Sequence, residues 1–243
     1  MQLTDVLLVI DVQPTFMPGG GLPVPQGDAV IAPILDLLRM FPCEQRIATK
    51  ERHPSGHIAF ASSYYRLPAF TRMTRQLLEE RVREYGPQRV LSSHAKFTLD
   101  DVRRYLAMVG HFTLWNDHSE AGTPDAELHP DLPPEHEFSY VLVKGGSPIE
   151  HAYSAFISDI GTATELEDVL RMREFRRVFG VGLAFDYCVG WTLLHAADRG
   201  FEVYCIEDAT RAVNQPKDSV EEMRERFRKR GVQIIQSSDL LAA

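Results

Sequence analysis

Cys188 closes the apolar run VFGVGLAFDY and opens a helically spaced stretch from Val189 to Arg199. Where a strand gives way to a helix, unpaired N–H groups and the positive end of the helix dipole both favour a thiolate. Such a thiolate can attack a carbonyl carbon while the same N–H groups hold the oxyanion. The alternative is a small buried hydrophobe, the usual state of a free cysteine. A nucleophile needs a proton acceptor and a compensating positive charge. Asp11, directly after LLVI, and Lys144, directly after YVLV, supply those two types at the ends of other apolar runs. Taken singly, Asp11 can cap the turn begun by VQPTF and Lys144 can be a solvated strand end. The three together at one sheet edge point to acyl-transfer chemistry.

A second set of residues suits a metal. In KERHPSGH, Glu51 and His53 are two apart and share one side of an extended segment. Pro54, Ser55 and Gly56 turn the chain and can return His57 to the same place. His118, in WNDHS, offers a ligand from a second half-site, and Trp115 beside it offers an apolar plate for a flat aromatic substrate. One carboxylate with two or three imidazoles suits a divalent ion: Zn(II) first, Fe(II) or Mn(II) otherwise. His129, before Pro130, reads as part of a turn, and His94 is a weaker ligand candidate.

The elements that must position these residues alternate in type. Val6–Ile10, Arg46–Thr49, Tyr140–Val143, Val178–Leu183, Glu202–Ile206 and Val232–Ile235 read as short strands, several of them continuously apolar. Ala29–Met40 has helical spacing, Thr164 with Glu167 and Ser219 with Glu222 read as capping boxes, and Gly200 and Gly231 as stops. The series predicts an α/β fold, a mostly parallel doubly wound sheet between two helical layers, with ligands beyond the carboxyl ends of the strands. One domain is expected over 1–243, interrupted at about 68–110 by an inserted helical hairpin with helices near Thr74–Tyr85 and from Thr98, capped with Asp101, to Gly110.

Composition narrows the partners. The 243 residues carry 26 Lys+Arg against 34 Asp+Glu, a formal charge of -8, which disfavours a phosphate backbone and leaves a small molecule as the expected ligand. The arginines of the insertion read as a solvated face. Three widely spaced cysteines give no disulfide framework, Cys205 reading as core and Cys43 as loop. The N-terminal MQLTDVLLVIDVQ lacks a basic leader and its apolar run is too short for a membrane span. A reduced, cytoplasmic protein that binds neither nucleic acid nor membrane is expected.

Five segments in order resemble the nicotinamidases (pyrazinamidases) among the isochorismatase-like cysteine hydrolases: LLVIDVQPTFMPGGGLPV, KERHPSGHIAFA, WNDHSEAGTPDAELHPDL, KGGSPIEHAYSAF and GVGLAFDYCV. The resemblance covers nearly the whole chain outside the insertion. It implies hydrolysis of nicotinamide to nicotinate and ammonia through a thioester on Cys188, with Asp11 moving the proton and Lys144 stabilising charge. It also implies an oxyanion hole from the N–H groups of Ala184 and Cys188, a cis peptide bond at Leu183–Ala184, and a ring pocket of Phe16, Trp115, Tyr153 and Tyr187. The implied metal holds the ring nitrogen, with Glu51 in the place of the family's usual aspartate and His57 a ligand only in some members. Pro14, Thr15, Phe185 and Ser119 also depart from the common pattern. The insertion covers the pocket mouth, builds a homo-oligomer contact, or decorates the surface. Two alternatives stay open: an amidase for another small carboxamide or ureido compound, and a catalytically silent metal-binding or redox-responsive protein.

Overall fold

In a computed structural model, which describes residues 1–241, eight strands and seven α-helices follow one another along the chain. The strands are β1 (Asp5–Ile10), β2 (Arg46–Glu51), β3 (Arg72–Thr74), β4 (His111–Thr113), β5 (Tyr140–Lys144), β6 (Arg177–Leu183), β7 (Glu202–Arg211) and β8 (Gln233–Ile235). The helices are α1 (Ile31–Met40), α2 (Arg75–Tyr85), α3 (Leu99–Val109), α4 (Leu166–Met172), α5 (Gly190–Asp198), α6 (Ser219–Arg230) and α7 (Ser237–Leu241). The six strands expected from the apolar runs form one sheet, in the order β5-β2-β1-β6-β7-β8. Every neighbouring pair in it is parallel.

β1 is buried at all six positions because it is covered on both faces. Alternate residues serve the two layers: Val6, Leu8 and Ile10 join a cluster with Leu170 of α4, Leu193 of α5 and Phe227 of α6. Leu7 and Val9 join the opposite cluster with Ile34 and Leu37 of α1. The chain runs outward from β1 through β2 to β5, then returns to the other side of β1 as β6. The switch point therefore lies at the carboxyl ends of β1 and β6, where a doubly wound sheet opens a crevice.

The insertion has its own apolar cluster, including Tyr64, Met73, Leu78, Val102, Tyr105, Leu106 and Phe112. α3 begins with the expected capping box between Thr98 and Asp101, and Arg103 of α3 binds Glu79 of α2 through two bonds of 2.9 and 3.1 Å. The small antiparallel sheet of β3 and β4 was not anticipated, since RMT and HFT are too short to show a period. The other two expected capping boxes do not form. Thr164 donates to Ala155 O at 2.5 Å and accepts from Leu166 N at 3.2 Å, so the N-cap of α4 falls on Glu165. Ser219 is already inside α6 and gives its hydroxyl to Asp186 at 2.6 Å. Among the described residues no helix is long and apolar enough to cross a membrane.

Phe179 is the wedge of the α1 side of the sheet, 1% exposed, edge-on to Phe41 at 5.6 Å and stacked on Tyr204 at 4.7 Å. Phe179→Ala should lower the unfolding free energy in urea by about 3–5 kcal/mol, the range for emptying a buried aromatic site. A loss below about 1 kcal/mol would mean that the layer closes over the gap.

Candidate active site and metal-donor cluster

Four adjacent parallel strands each deliver one reactive side chain to the same end of the sheet. Lys144 ends β5, Glu51 ends β2, Asp11 follows β1, and Cys188 lies beyond the end of β6. Register pairs Glu51 directly with Lys144. The Lys144 ammonium lies 2.9 Å from Asp11 Oδ2 and 3.0 Å from Glu51 Oε1. It donates to Ala152 O at 2.8 Å and contacts Cys188 Sγ at 3.5 Å. Thr49 fixes Asp11, donating to Oδ1 at 2.6 Å while accepting from the Asp11 N–H at 3.1 Å. The Gln13 amide clasps the Glu51 backbone with two bonds of 2.8 Å.

The electrostatics follow from burial. Desolvation works against the Lys144 charge, but Asp11, Cys188 and Glu51 outweigh it and hold the ammonium well above its usual range. Desolvation likewise opposes the Glu51 carboxylate, yet Lys144 holds it well below the usual carboxylate range. For Asp11 burial wins over Lys144, and its pKa is raised. Burial also pushes the Cys188 thiol up, more than Lys144 can offset, with Glu51 and Asp11 adding to the rise.

This corrects the expectation of a resting thiolate at a helix start. Cys188 sits in a π-type turn, Phe185–Val189, ahead of α5, and it is 6% exposed. The turn follows a cis peptide bond at Leu183–Ala184. Asp186 anchors it by accepting from Val213 N at 2.9 Å and Asn214 N at 2.7 Å. Burial therefore keeps the cysteine a thiol at rest, in contact with the Lys144 ammonium.

The two metal half-sites are stitched together by backbone. His53 N donates to Ser119 O at 2.8 Å, and Ala121 N donates to His53 O at 2.8 Å. His53 Nδ1 donates to Gly145 O at 2.9 Å and His118 Nδ1 to Asn116 O at 2.7 Å, taking each Nδ1 to carry the proton. Each leaves an Nε2 lone pair facing Glu51, at 3.4 Å from Oε1 and 3.3 Å from Oε2 respectively. Those separations are long for hydrogen bonds. They match two ligands each about 2.0–2.2 Å from a shared ion. Ligation by one carboxylate oxygen and imidazole nitrogens, with backbone carbonyls fixing the rings, fits a divalent metal.

His57 does not belong to this set. Its Nε2 donates to Glu150 O at 2.9 Å and its Nδ1 accepts from Ala59 N at 3.2 Å, so its single lone pair is already taken. Burial and the adjacent His53 hold it neutral, with a pKa lowered to about 3. The proline-glycine turn does bring His57 back, its ring 4.3 Å from that of His53, but behind the cluster. In its place stands a residue the sequence did not single out: donor atoms of Glu51, His53, His118 and His151 all lie within 4.8 Å of one another. His151 sits in the aperiodic stretch KGGSPIEHAYSAF, where its position after Lys144 was the only signal. His94 is exposed, and His129 accepts from Asp131 N at 3.2 Å in a turn, as expected.

The aromatic residues line one cavity. Phe16, Trp115, Tyr153 and Tyr187 surround a slot that also touches Glu51, His118, His151, Ala184 and Cys188. Trp115 meets Tyr187 edge-on at 5.0 Å and donates its indole N–H to Tyr153 Oη at 3.1 Å. Residues of the donor cluster and the Cys188 thiol therefore border the same aromatic slot.

The family model described as "Isochorismatase domain" matches residues 5–239. The nicotinamidase of Acinetobacter baylyi is 34% identical over 238 residues, 97% of this chain and 94% of its own. A solved nicotinamidase/pyrazinamidase of Acinetobacter baumannii superposes with a TM-score of 0.81 at 31% identity, covering 99% of each chain. The pyrazinamidase of Pyrococcus horikoshii, solved in complex with zinc, superposes with a TM-score of 0.65 at 31% identity over 96% of this chain and 99% of its own.

Gly145 has φ +78°, and a Cβ there would fall 2.6 Å from His53 Cε1 and 2.8 Å from Nδ1. Gly145→Ala should therefore push the His53 ring from its carbonyl and weaken metal binding by about 10- to 100-fold in chelator competition. Unchanged affinity would show that the ring is not held from this side.

Proposed function

The chain belongs to the isochorismatase family, and on that footing we propose that it is a metal-dependent amidohydrolase that converts nicotinamide and water to nicotinate and ammonia. One observation carries this reading: Glu51 joins both halves of the site, one oxygen 3.0 Å from Lys144 and the other 3.3 Å from His118. Cys188 and part of the donor set border one aromatic slot, with Asp11 reached through the shared Lys144, an arrangement that supports a flat carboxamide as substrate. The nicotinamidases and pyrazinamidase among its relatives support the substrate class.

Asp11 takes the Cys188 proton as sulfur attacks the carboxamide carbon, and the N–H groups of Ala184 and Cys188 receive the oxyanion. Asp11 then gives that proton to the departing nitrogen, the C–N bond breaks, and ammonia leaves a thioester. Water, deprotonated by Asp11, attacks the thioester carbon; the C–S bond breaks, and Cys188 recovers its proton as nicotinate forms. Lys144 stays charged throughout and balances whichever of Asp11 and Cys188 carries the negative charge. Phe16, Trp115, Tyr153 and Tyr187 hold the ring plane. Glu51, His53 and His118 would hold the ion, Zn(II) by ligand type and by the zinc of the Pyrococcus relative, with Fe(II) and Mn(II) as alternatives. When bound, it supplies a Lewis-acid contact that orients the pyridine nitrogen.

Ammonia release from nicotinamide should fall by about 10⁴-fold or more in Cys188→Ala, with metal content unchanged. It should also fall on chelation of the wild type and return with added Zn(II), Fe(II) or Mn(II). Retained turnover in Cys188→Ala would remove the nucleophile, and turnover indifferent to chelation would remove the metal. Turnover of ureido compounds in preference to nicotinamide would replace the substrate.

Because burial raises Asp11 above its ordinary value of 3.8, and only the carboxylate accepts the thiol proton, kcat/KM should rise with pH through a group above the usual carboxylate range. An acid limb at or below 3.8, measured with metal saturating, would separate that limb from Asp11.

A further inference from the structure

His151 was not assigned a role by the sequence, and the reaction above does not use it. Its Nε2 is buried without a hydrogen-bond partner, an unusual state for a polar atom in a folded chain. The ring is placed with care nonetheless. It stacks on His53, centroids 5.5 Å apart and planes 19° from parallel, and meets Tyr153 edge-on at 4.2 Å. Its backbone is clasped by Asp159, which accepts from His151 N at 3.2 Å and returns a backbone bond to His151 O at 2.9 Å. Tyr105 of α3, in the insertion, donates to the other carboxylate oxygen of Asp159. The next residue, Ala152, gives its carbonyl to Lys144. The loop is thus fixed from two sides, with its imidazole set against the metal donors.

We infer that His151 is a fourth protein ligand of the divalent ion, joining Glu51, His53 and His118 from a loop that the insertion braces. The donor atoms of all four residues already lie within 4.8 Å of one another, so closing around one ion draws them together without changing any residue's partner in the set. A third imidazole leaves fewer positions on the ion for water and substrate than the three-residue set would. It also gives the inserted helices a purpose in the site: Tyr105 positions Asp159, and Asp159 positions the ligand.

The inference rests on the metal-dependent reading, and the test separates the two. Zn(II) binding by the purified wild type is titrated against a chromophoric chelator, beside His151→Ala, His151→Gln and, as a benchmark, His53→Ala. Both His151 variants should bind about 10- to 100-fold more weakly than wild type. X-ray absorption of the Zn(II)-loaded wild type, which does not depend on any variant folding, should count three imidazoles. Wild-type affinity in both His151 variants, or a count of two imidazoles, overturns the inference while leaving the metal-dependent reading intact. A raised KM at wild-type metal affinity does the same and makes His151 a substrate contact. A wild type that binds no stoichiometric ion overturns both.

Discussion

A fully buried ammonium organises this end of the molecule. Lys144 has left water for a site whose polar neighbours are two carboxylates, one carbonyl and one thiol. A charge in that position is tolerated only if it is paired and hydrogen-bonded. Asp11 and Glu51 can both reach it because β1, β2 and β5 are successive parallel strands, whose ends fall at one level. The sheet order is therefore part of the chemistry. A different neighbour for β2 would strand either the lysine or a carboxylate without a partner.

The same charge distributes roles among the acids. Glu51 stays anionic, because Lys144 outweighs the cost of its burial. Asp11 and Cys188 share what remains of the positive field, and burial keeps each reluctant to ionise. One negative charge can pass between them while Lys144 stays protonated, which is the requirement for thiol activation without a free thiolate at rest. A glutamate in the position of the usual aspartate contributes here through reach. It spans from the lysine to the imidazoles, so the donor cluster and the nucleophile share a carboxylate.

Around this centre the loops are held by backbone contacts more than by side-chain packing. Gln13 grips the Glu51 main chain, His53 and Ser119 pair across the two metal half-sites, and Asp186 gathers the 213–214 segment beneath the nucleophile turn. The insertion adds a separate apolar cluster and a side-chain tie towards the site, from Tyr105 to Asp159. Such bracing suits a site whose residues come from loops, where rigidity has to be supplied from outside.

Much of this could be read from the chain alone. Asp11, Lys144 and Cys188 each interrupt or follow a long apolar run, and a buried parallel strand writes that pattern into local sequence. The pairs that needed only spacing, Glu51 with His53 and Thr98 with Asp101, were legible for the same reason. What depended on distant partners was not. His57 has the right residue type and returns to the right place, but Glu150 and Ala59 occupy its nitrogens. Thr164 and Ser219 resemble caps, yet their hydroxyls are drawn to Ala155 and Asp186. The thiol that a helix start would ionise is held neutral by burial. His151 joins the donors through a loop without periodicity. Sequence determined which strands form the main sheet and which residues stand at their ends, since alternation and apolar runs are local. Only the tertiary structure decided which lone pairs remain free and which acids stay charged, because both depend on what burial removes from water and on partners far along the chain.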